Sequence, residues 1–226
     1  MIRKIGLGLL WLGFVTYAIA SSFYKSQQGD FDLIIDLSTG QWQGINPIII
    51  AMFYIMGIFP VVYAAFILFD YPLGTLRDRH QSISPYPFCA VSFGVGAFAL
   101  LPYLALRQPD TAWDGQKNWL LKILDSRLMA IISSVSLVTL LVWGLTQGNW
   151  SDFVSKWQTS QFIHVMSLDF CLLCLLFPTI LGDDIERRGV KGWLKSAALF
   201  PLLGALLYWC FRPQLPETVA RQSTAS

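Results

Sequence analysis

The chain has 226 residues, 54% of them hydrophobic and 13% charged, with mean hydropathy +0.52. A soluble domain carries about 25% charged residues, so the composition excludes an ordinary water-soluble globule and indicates one integral membrane bundle. A net charge of +2, with no basic stripe interleaved with aromatics, excludes nucleic acid as a partner.

Residues 5–23 form the first predicted span, preceded by Arg3 and Lys4. The same stretch has the form of a secretory signal, with Ala18-Ile19-Ala20 as a small-residue cleavage site. The length of the uncharged run, and Tyr17, Phe23 and Tyr24 as interfacial anchors, favour a retained span. Residues 26–46 connect it to the next, alternating apolar groups with Asp30, Asp32 and Asp36, the pattern of a solvated acidic loop with a short interfacial helix. Asn46-Pro47 opens the second span, 48–69, since proline is well tolerated in a first helical turn. Gly57 and Pro60 sit in its middle and predict a kink.

Residues 70–87 read as an irregular polar connection bearing a lone histidine, His80. The third predicted span is 88–106. Its Ser92, Gly94 and Gly96 make a smooth surface for close approach of another helix. Residues 107–128 mix charge with Trp119, Leu120, Ile123, Leu124 and Leu128 on one helical face, which predicts a short amphipathic helix at the membrane surface. The fourth span, 129–145, carries the hydroxyls Ser133, Ser134 and Ser136, available to a buried acid on a neighbour or to their own backbone. Residues 146–161 read as a polar loop with Trp150 and Trp157.

The fifth span, 162–181, contains Asp169. A carboxylate in hydrocarbon costs about 2.5–3.5 kcal/mol on insertion scales, so it is expected to face the bundle interior and to have a partner. His164, Ser167, Cys171, Cys174 and Pro178 fall on one helical stripe. Asp169 lies about 140° around the helix from His164, on a different face. Its ordinary reading is a polar tether to a neighbouring helix; the alternatives are a proton relay, an ion site or a pigment contact. After a charged stop, Asp183-Asp184-Ile185-Glu186-Arg187-Arg188, the sixth span covers 196–211. Arg212-Pro213 ends it, and 214–226 is a polar tail. The fold class is therefore all-α: a polytopic bundle of about six transmembrane helices within one domain, 1–213.

Motifs for soluble chemistry are missing. There is no phosphate-binding G-x-x-x-x-G-K-S/T loop and no H-E-x-x-H. Cys89, Cys171, Cys174 and Cys210 lie in apolar runs, where Cys171-x-x-Cys174 lacks the water access a redox thiolate needs. Asp183, Asp184 and Glu186 resemble an acidic metal cluster, but Arg187 and Arg188 stand beside them to pair with the acids or with lipid head groups. No cofactor is predicted; a single tetrapyrrole on His164 is the outside option. In six-span order the Lys and Arg residues divide almost evenly between the two sides, so the positive-inside rule leaves orientation open.

Three blocks, NPIIIAMFYIMGIFPVVYAA from Asn46, PYPFCAVSFGVGAFALLPYLALR from Pro85, and Asp169 with FPTILGDDIERRG from Phe177, resemble a family of small multi-span membrane proteins of cyanobacteria and plastids. The resemblance covers about half the chain. It implies a thylakoid or plasma-membrane setting in a photosynthetic organism and an auxiliary or assembly role. The leading functional expectation is accordingly a non-enzymatic protein that packs against a larger membrane complex. The rivals are a small-solute or proton-coupled transporter using Asp169, and a membrane enzyme acting on a lipid or isoprenoid.

Overall fold

Long uncharged runs close their backbone hydrogen bonds internally. Accordingly, every regular element in the computed structural model is a helix among the described residues, which are 2–25, 29–71, 83–108, 111, 113, 117–197, 200 and 202–216. In chain order these are α1 (Ile2–Ser21), α2 (Asp30–Thr39), α3 (Pro47–Ile67, continued by a 3-10 turn, Leu68–Asp70), α4 (Tyr86–Val95), α5 (Ala97–Leu106), α6 (Trp119–Leu124), α7 (Arg127–Gln147), α8 (Trp150–Thr159), α9 (Gln161–Leu176), α10 (Pro178–Arg187), α11 (Trp193–Ala197) and α12 (Leu203–Phe211). The expected loop with His80 and the end of the polar tail lie outside the described residues.

Four stretches are long and apolar enough to cross a membrane: Arg3–Ser21, Pro47–Asp70, Arg127–Gln147 and Gln161–Arg187. They are compatible with a membrane location, and the remaining surface agrees. Ile131, Ile132, Val135 and Val142 of α7 and Leu9, Leu12 and Ile19 of α1 are exposed. The central helix is α3, whose side chains from Ile48 to Phe69 are mostly buried. It runs unbroken through Gly57 and Pro60. It packs antiparallel to α7, where Gly144 comes so close that an added Cβ would stand 2.6 Å from Ala51 Cβ. Gly148, one turn on, meets Ile48 in the same way, so Gly144 and Gly148 form a small-residue seam that sequence reading did not single out.

The third and sixth predicted spans are not among these four. The apolar run 88–106 breaks at Gly96, where φ is +53°, and the chain doubles back. Phe88 of α4 faces Tyr103 of α5 with ring centroids 5.5 Å apart, which is the pairing of an antiparallel hairpin centred on Gly96. Ten residues of helix reach about 15 Å, half the hydrocarbon thickness. The hairpin starts beside α6, with Asn118 Nδ2 donating to Tyr86 Oη at 3.4 Å. It returns to the same end, where Arg107 pairs with Asp70 and Asp183. Likewise α12 has nine residues, too few to cross, and Phe211 at its end meets Trp193 at the start of α11. Both segments are re-entrant and both enter from one end of the bundle.

That end carries the charge. It holds 11 of the described Lys and Arg residues (Arg3, Lys4, Arg107, Lys117, Lys122, Arg127, Arg187, Arg188, Lys191, Lys195 and Arg212), whereas the opposite end holds two, Lys25 and Lys156. The opposite end is organised by two interfacial helices. The first is α2, foreseen in the 26–46 connection. The second is α8, where a loop was expected; its start is capped by Asn149 Oδ1, which accepts from Asp152 N at 3.0 Å. The amphipathic helix expected over 107–128 shrinks to α6. Its buried residues are Leu121 and Leu124, while Trp119, Ile123 and Leu128 are exposed.

Candidate functional site

Asp169 is buried at the tip of the re-entrant hairpin. The first turn of a helix leaves its N–H groups unpaired, and breaking the run at Gly96 creates such a turn in mid-bundle. Asp169 Oδ1 accepts the Ala97 N–H at 2.7 Å, so the acid of α9 caps the start of α5. A carboxylate is stabilised there by the aligned peptide dipoles, equivalent to about half a unit charge. The contact also requires glycine before the cap, since a Cβ on Gly96 would overlap the Asp169 carboxylate. From α1, Trp11 Nε1 donates to Phe98 O at 3.0 Å and Phe14 stacks on Phe98 at 4.2 Å. The hairpin tip is thus held by an acid on one side and an aromatic pair on the other.

The hydroxyls of α7 do not reach this acid. Ser133 is buried elsewhere, Ser134 Oγ pairs with Cys210 Sγ at 3.3 Å, and Ser136 is exposed. The partner is a backbone N–H that exists only because the third span breaks. Ser92 bonds its own helix, donating to Cys89 O at 2.7 Å. Gly94 has open space beside it.

A cavity of about 410 Å³ lies against Asp169. The hairpin tip, residues 92–96, walls one side of it. Phe53, Met56 and Gly57 of α3 wall another, and Gln161, Phe162 and Met166 of α9 a third. Gln161, at the start of α9, lines the part of it farthest along that helix from Asp169. Its Nε2 donates to Ala18 O and Ser21 Oγ, and its Oε1 is buried without a partner. Eight residues of α9 separate Gln161 from Asp169, about 12 Å along the helix. Phe93 and Val95, also on the wall, are exposed on the outer surface.

His164 belongs to a different cluster. Its Nδ1 lies 3.1 Å from Trp157 O, which can only accept, so this nitrogen carries the proton. Nε2 then accepts the Tyr17 hydroxyl at 2.7 Å. Both ring nitrogens are thus engaged. The ring serves as a latch between α1, α8 and α9, with Trp157 packed on it at 4.5 Å.

At the basic end, the Asp183–Arg188 cluster forms ion pairs rather than a metal site, and no metal-ligand cluster exists among the described residues. Asp184 accepts from Arg188 Nε at 2.9 Å, Arg212 Nη1 at 3.0 Å and Tyr208 Oη at 2.9 Å, and meets Arg187 at 3.4 Å. Arg187 also pairs with Asp70, and Arg107 joins Asp70 to Asp183. Asp125 links Arg188 at 2.8 Å and Lys117 at 2.7 Å. The guanidinium groups of Arg188 and Arg212 both lie over Phe69, at 5.2 and 5.6 Å. Glu186 points out of the network and is exposed. Sequence reading anticipated that Arg187 and Arg188 pair with the acids beside them; it missed Asp70, Arg107, Asp125 and Arg212, which close the network. The signal was the opposite charges at the ends of successive apolar runs. No family model, curated protein or solved structure matches this chain.

Proposed function

We propose that this chain is a small integral membrane carrier that holds its solute in the Asp169 cavity, with the re-entrant hairpin as the element that shapes the site. The observation that carries the reading is one buried carboxylate at a helix break, lining a cavity of about 410 Å³. Discontinuous helices placed near the membrane midplane are a recurring way to build solute sites, because irregular backbone is tolerated in a membrane only where it lines a cavity or is buried in protein. An enzymatic reading finds less support, because a single acid lines the cavity and the Asp183–Asp184 carboxylates are neutralised by arginines.

The charge asymmetry supports an orientation, with the basic end and both re-entrant segments facing the cytosol or plastid stroma. Single cysteines in place of Ser155 and Lys191, labelled in intact cells or vesicles with an impermeant maleimide, test it. Ser155→Cys is expected to react from outside and Lys191→Cys only after permeabilisation; the reverse pattern overturns the orientation.

For the carrier reading, the reconstituted protein is placed on a solid-supported membrane and challenged with concentration jumps of small cations, amino acids, amines and organic acids. At least one is expected to evoke a current that Asp169→Asn abolishes without loss of protein. Silence towards the whole panel, together with co-purification with a larger complex that Asp169→Asn leaves intact, would replace the carrier by the assembly role.

A further inference from the structure

Resting on the carrier reading, we infer that the Asp169 cavity takes an ammonium group carried on an apolar body. The side-chain donors that line the cavity are already used: Ser92 Oγ on Cys89 O, and Gln161 Nε2 on Ala18 O and Ser21 Oγ. Among the side chains, what remains are acceptors. Gln161 Oε1 has no partner. Asp169 gives one oxygen to Ala97 N–H, and its second stands against Gly96 at the cavity wall.

A half-helix terminus offsets about half a charge, so the carboxylate keeps a net attraction for a cation. No Lys, Arg or His lines the cavity to repel one. The rest of the wall is apolar, and its large side chains are mostly aromatic and thioether: Phe53, Phe93, Phe98, Phe162, Met56 and Met166. Such rings favour a cation over their faces and pack an apolar body. The volume, about 410 Å³, falls within the range of small-ligand pockets, roughly 300–1,000 Å³.

Three probes with one aromatic scaffold separate the possibilities: phenethylammonium, phenethyl alcohol and phenylacetate. Each is titrated calorimetrically into the full chain held in uncharged-lipid nanodiscs. Phenethylammonium is expected to bind saturably, and the alcohol and the acid at least tenfold more weakly. Asp169→Asn is expected to weaken the amine at least tenfold. Gly57→Phe is the second variant. A Cβ there meets nothing within 4 Å and Gly57 lines the cavity, so the added ring is expected to enter the cavity without displacing Asp169, and to abolish binding.

The inference is overturned if the alcohol or the acid binds as well as the amine, if no probe saturates, or if Gly57→Phe leaves the affinity unchanged. Failures of the two readings differ. An amine that binds but evokes no current removes the carrier and leaves the ammonium site. An organic-acid current abolished by Asp169→Asn does the opposite.

Discussion

The two ends of the bundle are held together by different physics. At the basic end, five cationic side chains (Arg107, Lys117, Arg187, Arg188 and Arg212) interlock with four carboxylates (Asp70, Asp125, Asp183 and Asp184), and all but Asp183 and Lys117 have side chains no more than 2% exposed. At the opposite end the ties are mostly neutral. Asn46 Nδ2 donates to Asn149 O and Asp152, Ser160 Oγ donates to Asp30, and Gln161 joins Ala18 and Ser21. A buried ion network is tolerated only while each charge keeps its partner. Separate neutral caps fail one at a time, and their losses add when the sites share no partner. The basic end is therefore a cooperative clasp on both re-entrant segments, and the other end a set of independent stitches.

The largest effect expected is at the centre of the clasp. Asp184→Ala strips a shared partner from Arg187, Arg188 and Arg212 and an acceptor from Tyr208. Removing one partner of a buried pair costs about 3–5 kcal/mol. Thermal unfolding in mild detergent is expected to show a large loss, and adding Arg212→Met to the same chain is expected to restore part of it. If the two losses simply add, the clasp is not cooperative and the contrast between the ends disappears.

Next comes the hairpin tip. Gly96→Ala meets both a backbone conformation reserved for glycine, of order 1–3 kcal/mol, and the Asp169 carboxylate. Asp169→Asn keeps an oxygen for the Ala97 N–H, so its cost is expected to stay within about 1 kcal/mol, the net worth of one hydrogen bond. Asp169→Leu leaves that N–H buried and unpaired and is expected to cost about 1–3 kcal/mol. Equal losses for Asn and Leu would mean that the carboxylate charge, rather than the acceptor, holds the tip.

These features differ in how far the amino-acid sequence reveals them. Hydropathy and length place α3 and α7 within about two residues, because an uncharged run of that length has few alternatives in lipid. They fail at 88–106, because a hydropathy window averages across Gly96 and does not register its positive φ. That one error propagates: counting the hairpin as a crossing moves every later loop to the wrong side, which is why the basic residues seemed evenly divided. Folded back, the same residues stand 11 to 2. Asp169 was legible as an intramembrane acid in need of a partner, but the search among α7 hydroxyls missed a backbone N–H freed by a break that was not foreseen. The clasp was half visible in Asp183–Arg188. Its remaining members are separated by tens of residues, and only the hairpin topology gathers them at one end.

Among the stitches, Asn46 is the strongest. It is buried, its Oδ1 caps α3 by accepting from Ile48 N at 3.1 Å, and its Nδ2 holds the start of α8. Asn46→Ala is expected to cost about 1–2 kcal/mol, the upper range of a lost N-cap. Combined with Gln161→Ala, which shares no partner with it, the losses are expected to sum. A double variant clearly more or less damaged than the sum would show coupling across this end too.

The smallest effect separates the ends by pH. The Asp152 carboxyl lies below the ordinary carboxylate range, chiefly because Lys156 donates to it; burial opposes this, and Asn46 adds a second, weaker hydrogen bond in the same direction as Lys156. A depressed folded-state value means that this stabilisation is fully present above the unfolded value of about 3.9 and is lost as pH falls through the folded one. Because both side chains are 38% exposed, screening limits the contribution to a few tenths of a kcal/mol. The melting temperatures of wild type and Asp152→Asn are therefore expected to differ slightly at neutral pH, to converge in acid, and to converge also in about 1 M salt, where charges are screened beyond about 3 Å. A difference that survives both acid and salt would place Asp152 in a network like that of Asp184, and the two ends would no longer be distinct.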